Sequence, residues 1–399
     1  MKQKMRKAFQ KFEGGLFSEV EKADVGDSYQ KLGEQGVDLM GWADPYNPDF
    51  SLPDHVLKAT LDAVNAPLSA HYTAPIGNDD LKVAIAKKLK RQNGLEVVAK
   101  RNILITPGSD SGLYYAMLSF LDAEDEVMIP TPSYPNNFQN VEILGAKAIP
   151  IQLKEKDDFQ IDIKEFEKRL TPKTKMVVLT HPNNPTTTVF NESSLFQLAD
   201  FIIKNDLILV CDQAFEDFTY ENKMITPASL PGMWERTITV FSVSKGMGFS
   251  GYRVGYLVTN DVIMDALYGA AVSVLGATNS IAQVAVLAAF EDQSFMKAFE
   301  NSFDYRRKKA YEILNQIPNV SMKLPESGFL CWVDVSKLGN ASDIVSYLIQ
   351  HAKVCVNDGI NYGPGGEGHI RIVLGVYKDD ERVVDALRRI KSALIDYQK

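Results

Sequence analysis

A lysine and an aspartate in this chain each follow a short apolar run. A charged side chain beside a buried strand loses hydration, so its presence there calls for an explanation. Lys245 comes after the run 237–241, and Asp212 comes directly after the run 207–211. A lysine that leaves a buried strand is desolvated, which lowers its pKa and makes its amine a nucleophile toward carbonyl carbons. A carboxylate at such a place is costly unless it meets a cation. That cation is either the partner in a structural ion pair or a pyridinium nitrogen of a bound ring.

Two further segments could bind anions. Gly108-Ser109-Asp110 lies between a predicted strand and a predicted helix, where free N–H groups and a serine hydroxyl suit a phosphate. An ordinary N-cap is the alternative at this place. Arg253 could hold the same phosphate with two hydrogen bonds, and Arg371 could hold a carboxylate in the same way or form a simple ion pair. Asn184, between two prolines, is by itself typical of a turn.

These residues follow runs of Val, Ile and Leu that alternate with helical patterns. The apolar runs cover residues 102–106, 126–130, 176–180, 207–211 and 237–241, and the helical patterns include 111–121 and 194–204. Continuous runs of this length indicate strands buried on both faces, hence a parallel or mostly parallel sheet. The predicted fold class is therefore α/β, with helices flanking the sheet. Ligands of such sheets bind beyond the carboxyl ends of the strands, where the candidate residues fall.

The pattern changes near residue 289. Helices are predicted over 303–317, 341–351 and 379–397, and strands over 320–324, 329–335 and 369–374. This mixture indicates a smaller α+β domain. We expect a large domain over residues 48–288 and a small domain formed by residues 289–399 together with 1–47. Whether the first 45 or so residues join the main sheet instead stays open.

The composition limits the class of protein. The 399 residues include 43 Lys and Arg against 51 Asp and Glu, a net charge of −8, which argues against nucleic acid or an anionic membrane as partner. The three cysteines lie far apart, which favours reduced thiols in the cytoplasm over a disulfide framework. The five histidines lack metal-site spacing, so no metal is expected. No run approaches the roughly 18 apolar residues that a membrane span needs.

Taken in chain order, these motifs resemble the class I/II aminotransferases, pyridoxal-phosphate enzymes of fold type I similar to aspartate aminotransferase. The motifs are Tyr72…Gly77, Gly108-Ser109, Tyr134, Asn184-Pro-Thr, Asp212…Phe215, Ser242…Lys245…Arg253 and Arg371. None is specific alone, but together they follow the family order from about residue 38 to the C-terminus. The resemblance implies bound pyridoxal 5'-phosphate and transfer of an amino group between an L-amino acid and a 2-oxo acid. It also implies a homodimer with shared active sites.

The resemblance implies a role for each candidate residue. Lys245 would form the Schiff base with the cofactor and then move the proton, Asp212 would pair with the ring nitrogen, and Tyr134 would stack on the ring. Asn184 would bond the phenolic oxygen of the ring. The remaining cofactor contacts would come from Gly108, Ser109, Asp110, Phe215, Ser242, Ser244, Arg253 and, from the neighbouring subunit, Tyr72. The substrate would contact Asn184, Arg371, which holds its α-carboxylate, and Trp42, which lines the entrance or else anchors the core.

Four positions depart from the family pattern. Phe215 stands where many members have a tyrosine that donates to the phenolic oxygen, Thr187 replaces a glycine, and His181 replaces an asparagine. Asp110 stands where some bacterial members have a lysine, and it would repel dicarboxylate substrates if it faces the pocket. Phe215 keeps open another reaction of the same cofactor, such as decarboxylation, elimination or oxidation. Arg371 favours breaking the Cα–H bond and thus transamination.

Two letter patterns and one further class of protein fit poorly. The GxGxxG match at 363–368 contains a proline and leads into a predicted strand, so we interpret it as a loop and not a dinucleotide site. The SxxK match at 242–245 lacks the KTG element of serine acyl-transferring enzymes. A ligand-responsive regulator would need a DNA-binding domain, for which the residues before the main sheet leave little room.

Overall fold

The computed structural model describes residues 2–11 and 27–399. Its strands are β1 (Asp38–Leu39), β2 (Ile103–Thr106), β3 (Glu126–Thr131), β4 (Lys147–Gln152), β5 (Thr174–Thr180), β6 (Ile208–Asp212), β7 (Thr237–Ser242), β8 (Gly255–Val258), β9 (Ser321–Met322), β10 (Leu330–Asp334), β11 (Val354–Cys355), β12 (Asn357–Asp358) and β13 (His369–Val373). Its helices are α1 (Lys7–Lys11), α2 (Asp27–Glu34), α3 (Asp54–Asn65), α4 (Asp79–Lys88), α5 (Ala99–Asn102), α6 (Ser109–Leu118), α7 (Pro135–Leu144), α8 (Ile163–Glu167), α9 (Glu192–Lys204), α10 (Asp261–Val274), α11 (Ser280–Glu291), α12 (Met296–Leu314), α13 (Ala341–Tyr347) and α14 (Asp380–Tyr397).

The largest layer is a seven-stranded sheet in the order β2-β8-β7-β6-β5-β3-β4. Only β8 runs antiparallel to its neighbours, so the other six strands end at one edge. Along β5, Met176 and Val178 pack into the core on one face, and Val177 and Leu179 into the core on the other. The apolar runs are therefore buried on both sides, as predicted, and the α/β fold class is confirmed.

A second sheet of four antiparallel strands, in the order β12-β13-β10-β9, packs against α12, α13 and α14. The strand of the N-terminal segment does not join the large sheet. Instead β1 pairs in parallel with β11, with Asp38 opposite Val354. The chain then runs past the end of β13, where the N–H of Tyr46 donates to the carbonyl of Gly375 at 2.6 Å. This path brings residues 41–44 over the carboxyl edge of the large sheet.

The predicted helix 341–351 ends earlier than expected as an α-helix, because a π-helical turn, Leu348–Ala352, replaces its last residues. In the part of the chain that the structure describes, no helix has both the length and the apolar character that crossing a bilayer requires.

Candidate functional site

A cavity of about 670 Å³ opens at the carboxyl edge of the large sheet, between the strand ends, the segment 41–44 and β13. It is lined by most of the residues that the sequence singled out. These are Trp42, Ser109, Asp110, Tyr134, Asn184, Asp212, Phe215, Ser244, Lys245, Arg253 and Arg371. Strand ends far apart in the chain thus converge on one volume, as the sheet topology requires.

Three predicted residues lie outside the lining. Gly108 sits behind it with φ of 83°, and a Cβ at this position would lie 2.3 Å from Nη2 of Arg253. Ser242 accepts a hydrogen bond from the N–H of Ser244 at 3.1 Å, so its hydroxyl holds the loop that carries the lysine. Tyr72 is 95% exposed and reaches no part of the cavity of its own chain.

Lys245 presents its amine inside the cavity, where it donates to the carbonyl of Ala43. Burial lowers the pKa of Lys245 to about 8, although the carboxylates of Asp110 and Asp44 favour its charged form. The sequence predicted this direction from desolvation after a buried strand. The amine therefore loses its proton at a lower pH than a solvated lysine does.

Asp212 is the last residue of β6 and is buried, and its carboxylate accepts a hydrogen bond from the N–H of Ala214 at 3.0 Å. Burial raises the pKa of Asp212 to about 7, with Asp110 adding to the effect and Lys245 opposing it. A desolvated carboxylate with a single backbone donor favours a cation beside it. The cavity thus presents a site for a positively charged ring nitrogen.

Arg371 is buried on β13 and makes hydrogen bonds to neutral oxygens. It donates to Oδ1 of Asn184 at 3.1 Å, to the carbonyl of Gly41 at 2.9 Å and to Oδ1 of Asn357 at 2.7 Å and 3.2 Å. No carboxylate of the described residues forms an ion pair with it within 4.0 Å. A buried guanidinium with neutral partners favours an anionic ligand, and its fork suits a carboxylate.

Asp110 faces the cavity, which answers the question that the sequence left open. Its Oδ1 accepts hydrogen bonds from the hydroxyl of Tyr134 at 3.0 Å and from the amide of Asn136 at 3.1 Å. Its Oδ2 lies 4.0 Å from Nη2 of Arg253, with both side chains about half exposed. Burial, together with Asp110, raises the pKa of Tyr134 well above its usual range, so the phenol remains a proton donor.

Sequence reasoning missed Asp44, Asn136 and Asn357. Asp44 lines the cavity and accepts a hydrogen bond from the hydroxyl of Ser250. Asn357 meets Arg371 because β12 pairs with β13 in that register. Within the stretch 41–44, the sequence indicated a role for Trp42 alone. No motif in the sequence indicated a role for Asn136 or Asn357.

The departures from the family pattern have separate explanations. His181 is buried outside the cavity, where its ring stacks on Phe190 at 5.4 Å and burial lowers its pKa to about 4. Thr187 has φ of 63°, a conformation that glycine adopts without strain, which explains why a glycine suits this position. Phe215 lines the cavity and packs on Phe329 at 5.5 Å, and it offers no hydroxyl there.

A phosphorylated pyridine aldehyde fits this donor set. The first turn of α6 has N–H groups without helical partners, and Arg253 reaches it because Gly108 has no side chain. A Cβ on Gly255 would come within 2.6 Å of the N atom of Ser109, so this glycine too leaves room for the first turn of α6. The buried carboxylate of Asp212 supplies the partner for a ring cation. Among the residues described, no group of three or more His, Cys, Asp or Glu side chains could hold a metal ion.

Known proteins share both the sequence pattern and the fold. Residues 38–390 match the family model described as aminotransferase class I and II. The chain is 30% identical over 364 residues to aromatic-amino-acid aminotransferase 2 of Thermococcus litoralis, covering 90% of this chain and 92% of that protein. It is 32% identical over 349 residues to an aspartate aminotransferase of Pyrococcus abyssi, covering 86% and 89%.

Solved structures agree with the sequence relatives. An alanine aminotransferase from Pyrococcus furiosus aligns with a TM-score of 0.88 at 25% identity, over 98% of this chain and 100% of that one. An aromatic aminotransferase from Pyrococcus horikoshii aligns with a TM-score of 0.85 at 29% identity, over 92% and 99%. The predicted fold, enzyme class and cofactor are thereby confirmed. This chain belongs to the class I and II aminotransferases and is a pyridoxal-phosphate-dependent aminotransferase.

Proposed function

We propose that this enzyme moves an amino group between an L-amino acid and a 2-oxo acid, with Lys245 as the catalytic amine. Asp212 holds the ring of the cofactor in its charged form, and Arg371 holds the carboxylate of the substrate. One observation carries the proposal. A desolvated lysine, a desolvated aspartate and an arginine with neutral partners line the same cavity.

The phosphate site of the proposal is the first turn of α6. Its N–H groups, the Ser109 hydroxyl and the guanidinium of Arg253 would hold the phosphate, with Ser244 and Ser242 fixing the loop beside it. When bound, pyridoxal phosphate supplies an aldehyde that condenses with amines and a ring that withdraws electrons from the carbon next to them. Asp212 supports that withdrawal by keeping the ring nitrogen protonated. Tyr134 covers one side of the cavity, and Asn184 offers its amide to the ring.

Lys245 carries the proton transfers. Because burial lowers its pKa to about 8, the amine gives up its proton more readily near neutral pH than a solvated lysine does. The uncharged amine would accept the proton from the substrate Cα and, as an ammonium, would donate it to the former aldehyde carbon of the cofactor, because its basicity is matched to the working pH.

Arg371 orients the substrate. A carboxylate that accepts two hydrogen bonds from its guanidinium cannot rotate freely, so the direction of the Cα–H bond is fixed. Asn184 and Gly41, which accept from the same guanidinium, limit where the carboxylate sits. Cleavage of Cα–H over loss of the carboxylate follows from this restraint.

We further propose that the enzyme is a cytoplasmic homodimer with the domain division 48–288 and 1–47 with 289–399. Tyr72 supports the dimer, because this residue is 95% exposed in one chain and serves no site there. The cysteines support the compartment, since all three are buried and none is in a disulfide with a described residue. The two sheets with separate cores support the division.

The experiment is a half-reaction on the purified holoenzyme. We expect a yellow protein in which L-amino acids convert bound pyridoxal phosphate to pyridoxamine phosphate, and in which 2-oxo acids reverse the change. Lys245→Ala should abolish the conversion, whereas Lys223→Ala, at an exposed position outside the helices and strands, should leave it intact. Release of carbon dioxide, ammonia or peroxide without this conversion would contradict the proposal.

A further inference from the structure

We propose that the preferred amino donor carries a positive charge at the end of its side chain. This inference rests on the proposed function, since it names the substrate class of the same cavity. It starts from the charged groups of the lining, which are three cations and three carboxylates. The cations are Lys245, Arg253 and Arg371, and the carboxylates are Asp44, Asp110 and Asp212.

The reaction assigns partners to three of these six groups. The phosphate takes Arg253, the α-carboxylate takes Arg371, and the ring nitrogen takes Asp212. Asp44 and Asp110 have no assigned partner among the cofactor and substrate groups. Lys245 is the one cation of the described lining that is left to pair with them. Both carboxylates act on that amine, because both favour its charged form. The amine loses its charge when it reacts, and at that point neither carboxylate has a cation.

Asp110 is open to a ligand. Its Oδ1 is held by Tyr134 and Asn136, whereas its Oδ2 has a distant contact with Arg253 at 4.0 Å. The side chain is 47% exposed in a cavity wall, so a ligand atom can reach it. A phosphate on Arg253 would compete for that guanidinium and leave Oδ2 without an attractive partner.

Asp44 lies in the same lining, on the segment that also supplies the acceptor for Lys245. Its Oδ1 is held by the hydroxyl of Ser250, which fixes the carboxylate at the cavity wall. Two carboxylates in the lining of one cavity, both acting on the Lys245 amine, create a negative potential that attracts an ammonium or guanidinium group and repels a carboxylate. A dicarboxylic donor would place its distal carboxylate against this potential, and no cation of the described lining remains to pair with it.

The test uses amino acids that differ in charge but little in shape. L-Ornithine is paired with L-norleucine, and L-arginine with L-citrulline. In the half-reaction of the holoenzyme, we expect kcat/KM to be at least about tenfold higher for the charged member of at least one pair. Asp110→Asn and Asp44→Asn should each lower that ratio severalfold, whereas Asp157→Asn, an exposed carboxylate elsewhere, should leave it unchanged.

Binding gives a second measurement that does not depend on turnover. α-Methyl-L-ornithine and α-methyl-L-norleucine lack the proton that the reaction removes, so calorimetry on the holoenzyme measures their affinities directly. The charged analogue should bind more tightly, and Asp110→Asn should reduce the difference. Equal rates and affinities within each pair, or aspartate or glutamate as the best donor, would overturn the inference and leave the proposed function standing. Failure of every donor to convert the cofactor would contradict the proposed function itself.

Discussion

Lys245 shows how its neighbours set the reactivity of one side chain. Burial alone would lower its pKa, and Asp110 and Asp44 limit the drop, so that the result is about 8. The carbonyl of Ala43 accepts a hydrogen bond from the amine and holds it in place. The lysine is thus reactive near neutral pH and still attracted to the acidic wall of the cavity.

The rate at which the apoenzyme captures pyridoxal phosphate should rise with pH through about 8, because the uncharged amine of Lys245 is the reactive form. Asp110→Asn removes a carboxylate that favours the ammonium form. The pKa then falls, and the midpoint of the rate profile moves to lower pH. Stopped-flow absorbance over a pH series measures this midpoint, with Asp157→Asn as control. A midpoint that stays in place or moves to higher pH would contradict the argument.

The sequence singled out Lys245, Asp212 and Arg371, which line the cavity, because a charged residue beside an apolar strand is a local signal. It was not sufficient for Asp44 or Asn357. Asp44 enters the cavity because β1, earlier in the chain, pairs with β11 more than 300 residues later. Such contacts leave no local trace in the sequence.

At the scale of elements, the start of α6 is the most constrained part of the site. Gly108 has φ of 83°, and the guanidinium of Arg253 occupies the volume that a side chain at 108 would need. Helix and guanidinium therefore approach each other closely enough to share one anion. This close approach depends on two connections of the chain. Gly108 lies in the connection between β2 and α6, and Arg253 lies in the connection between β7 and β8.

Gly108→Ala should weaken binding of pyridoxal phosphate by at least about tenfold, because the new methyl group displaces the guanidinium and strains a left-handed residue. The guanidinium lies at the end of a flexible side chain, so the fold should survive. Equilibrium titration of the apoenzyme measures the affinity, and circular dichroism checks the fold. Gly269→Ala in α10 is the matched control, since its Cβ would meet nothing within 4 Å. Equal affinities in both variants would refute this account of the junction.

Strands were predictable where burial on two faces made them continuously apolar, as in β5, β6 and β7. Two strands of the same sheet escaped prediction. β4 lies at the sheet edge, is exposed at both ends and contains a proline, a residue that argues against a strand inside a sheet. β8 has four residues, begins with glycine and closely follows the loop that carries Lys245. Its sequence is too short to show a strand pattern distinct from that loop.

At the scale of the molecule, the cavity belongs to both sheets at once. The large sheet supplies Lys245 and Asp212, and β13 of the smaller sheet supplies Arg371. Arg371 in turn bonds Asn184 of the large sheet and Gly41 of the N-terminal segment. Catalysis therefore requires the packed chain, and a fragment holding one sheet would lack part of the site.

If Tyr72 serves the neighbouring subunit, a variant without the catalytic lysine and a variant that binds the cofactor weakly should restore each other's function at low cofactor concentration. We expect Lys245→Ala to be inactive and Tyr72→Ala to bind the cofactor weakly. A hybrid dimer of the two contains one site with both residues intact. Refolding the variants together should recover activity that neither shows alone, with cofactor affinity near wild type at that site.

Each variant refolded alone is the control, and size-exclusion chromatography checks that dimers form. Absence of any recovery in verified hybrid dimers would show that Tyr72 acts within its own chain or not at all.

The path of residues 38–46 has a practical consequence for anyone who trims this enzyme. Their backbone carbonyls at Gly41 and Ala43 are acceptors for Arg371 and Lys245, and Asp44 belongs to the cavity wall. Removal of residues 38–46, by proteolysis or by deletion, would therefore destroy the pocket, although Lys245, Asp212 and Arg371 would all remain in the polypeptide. If such a shortened enzyme were inactive, the cause would be the loss of this part of the cavity lining. The result would not contradict the proposed transamination.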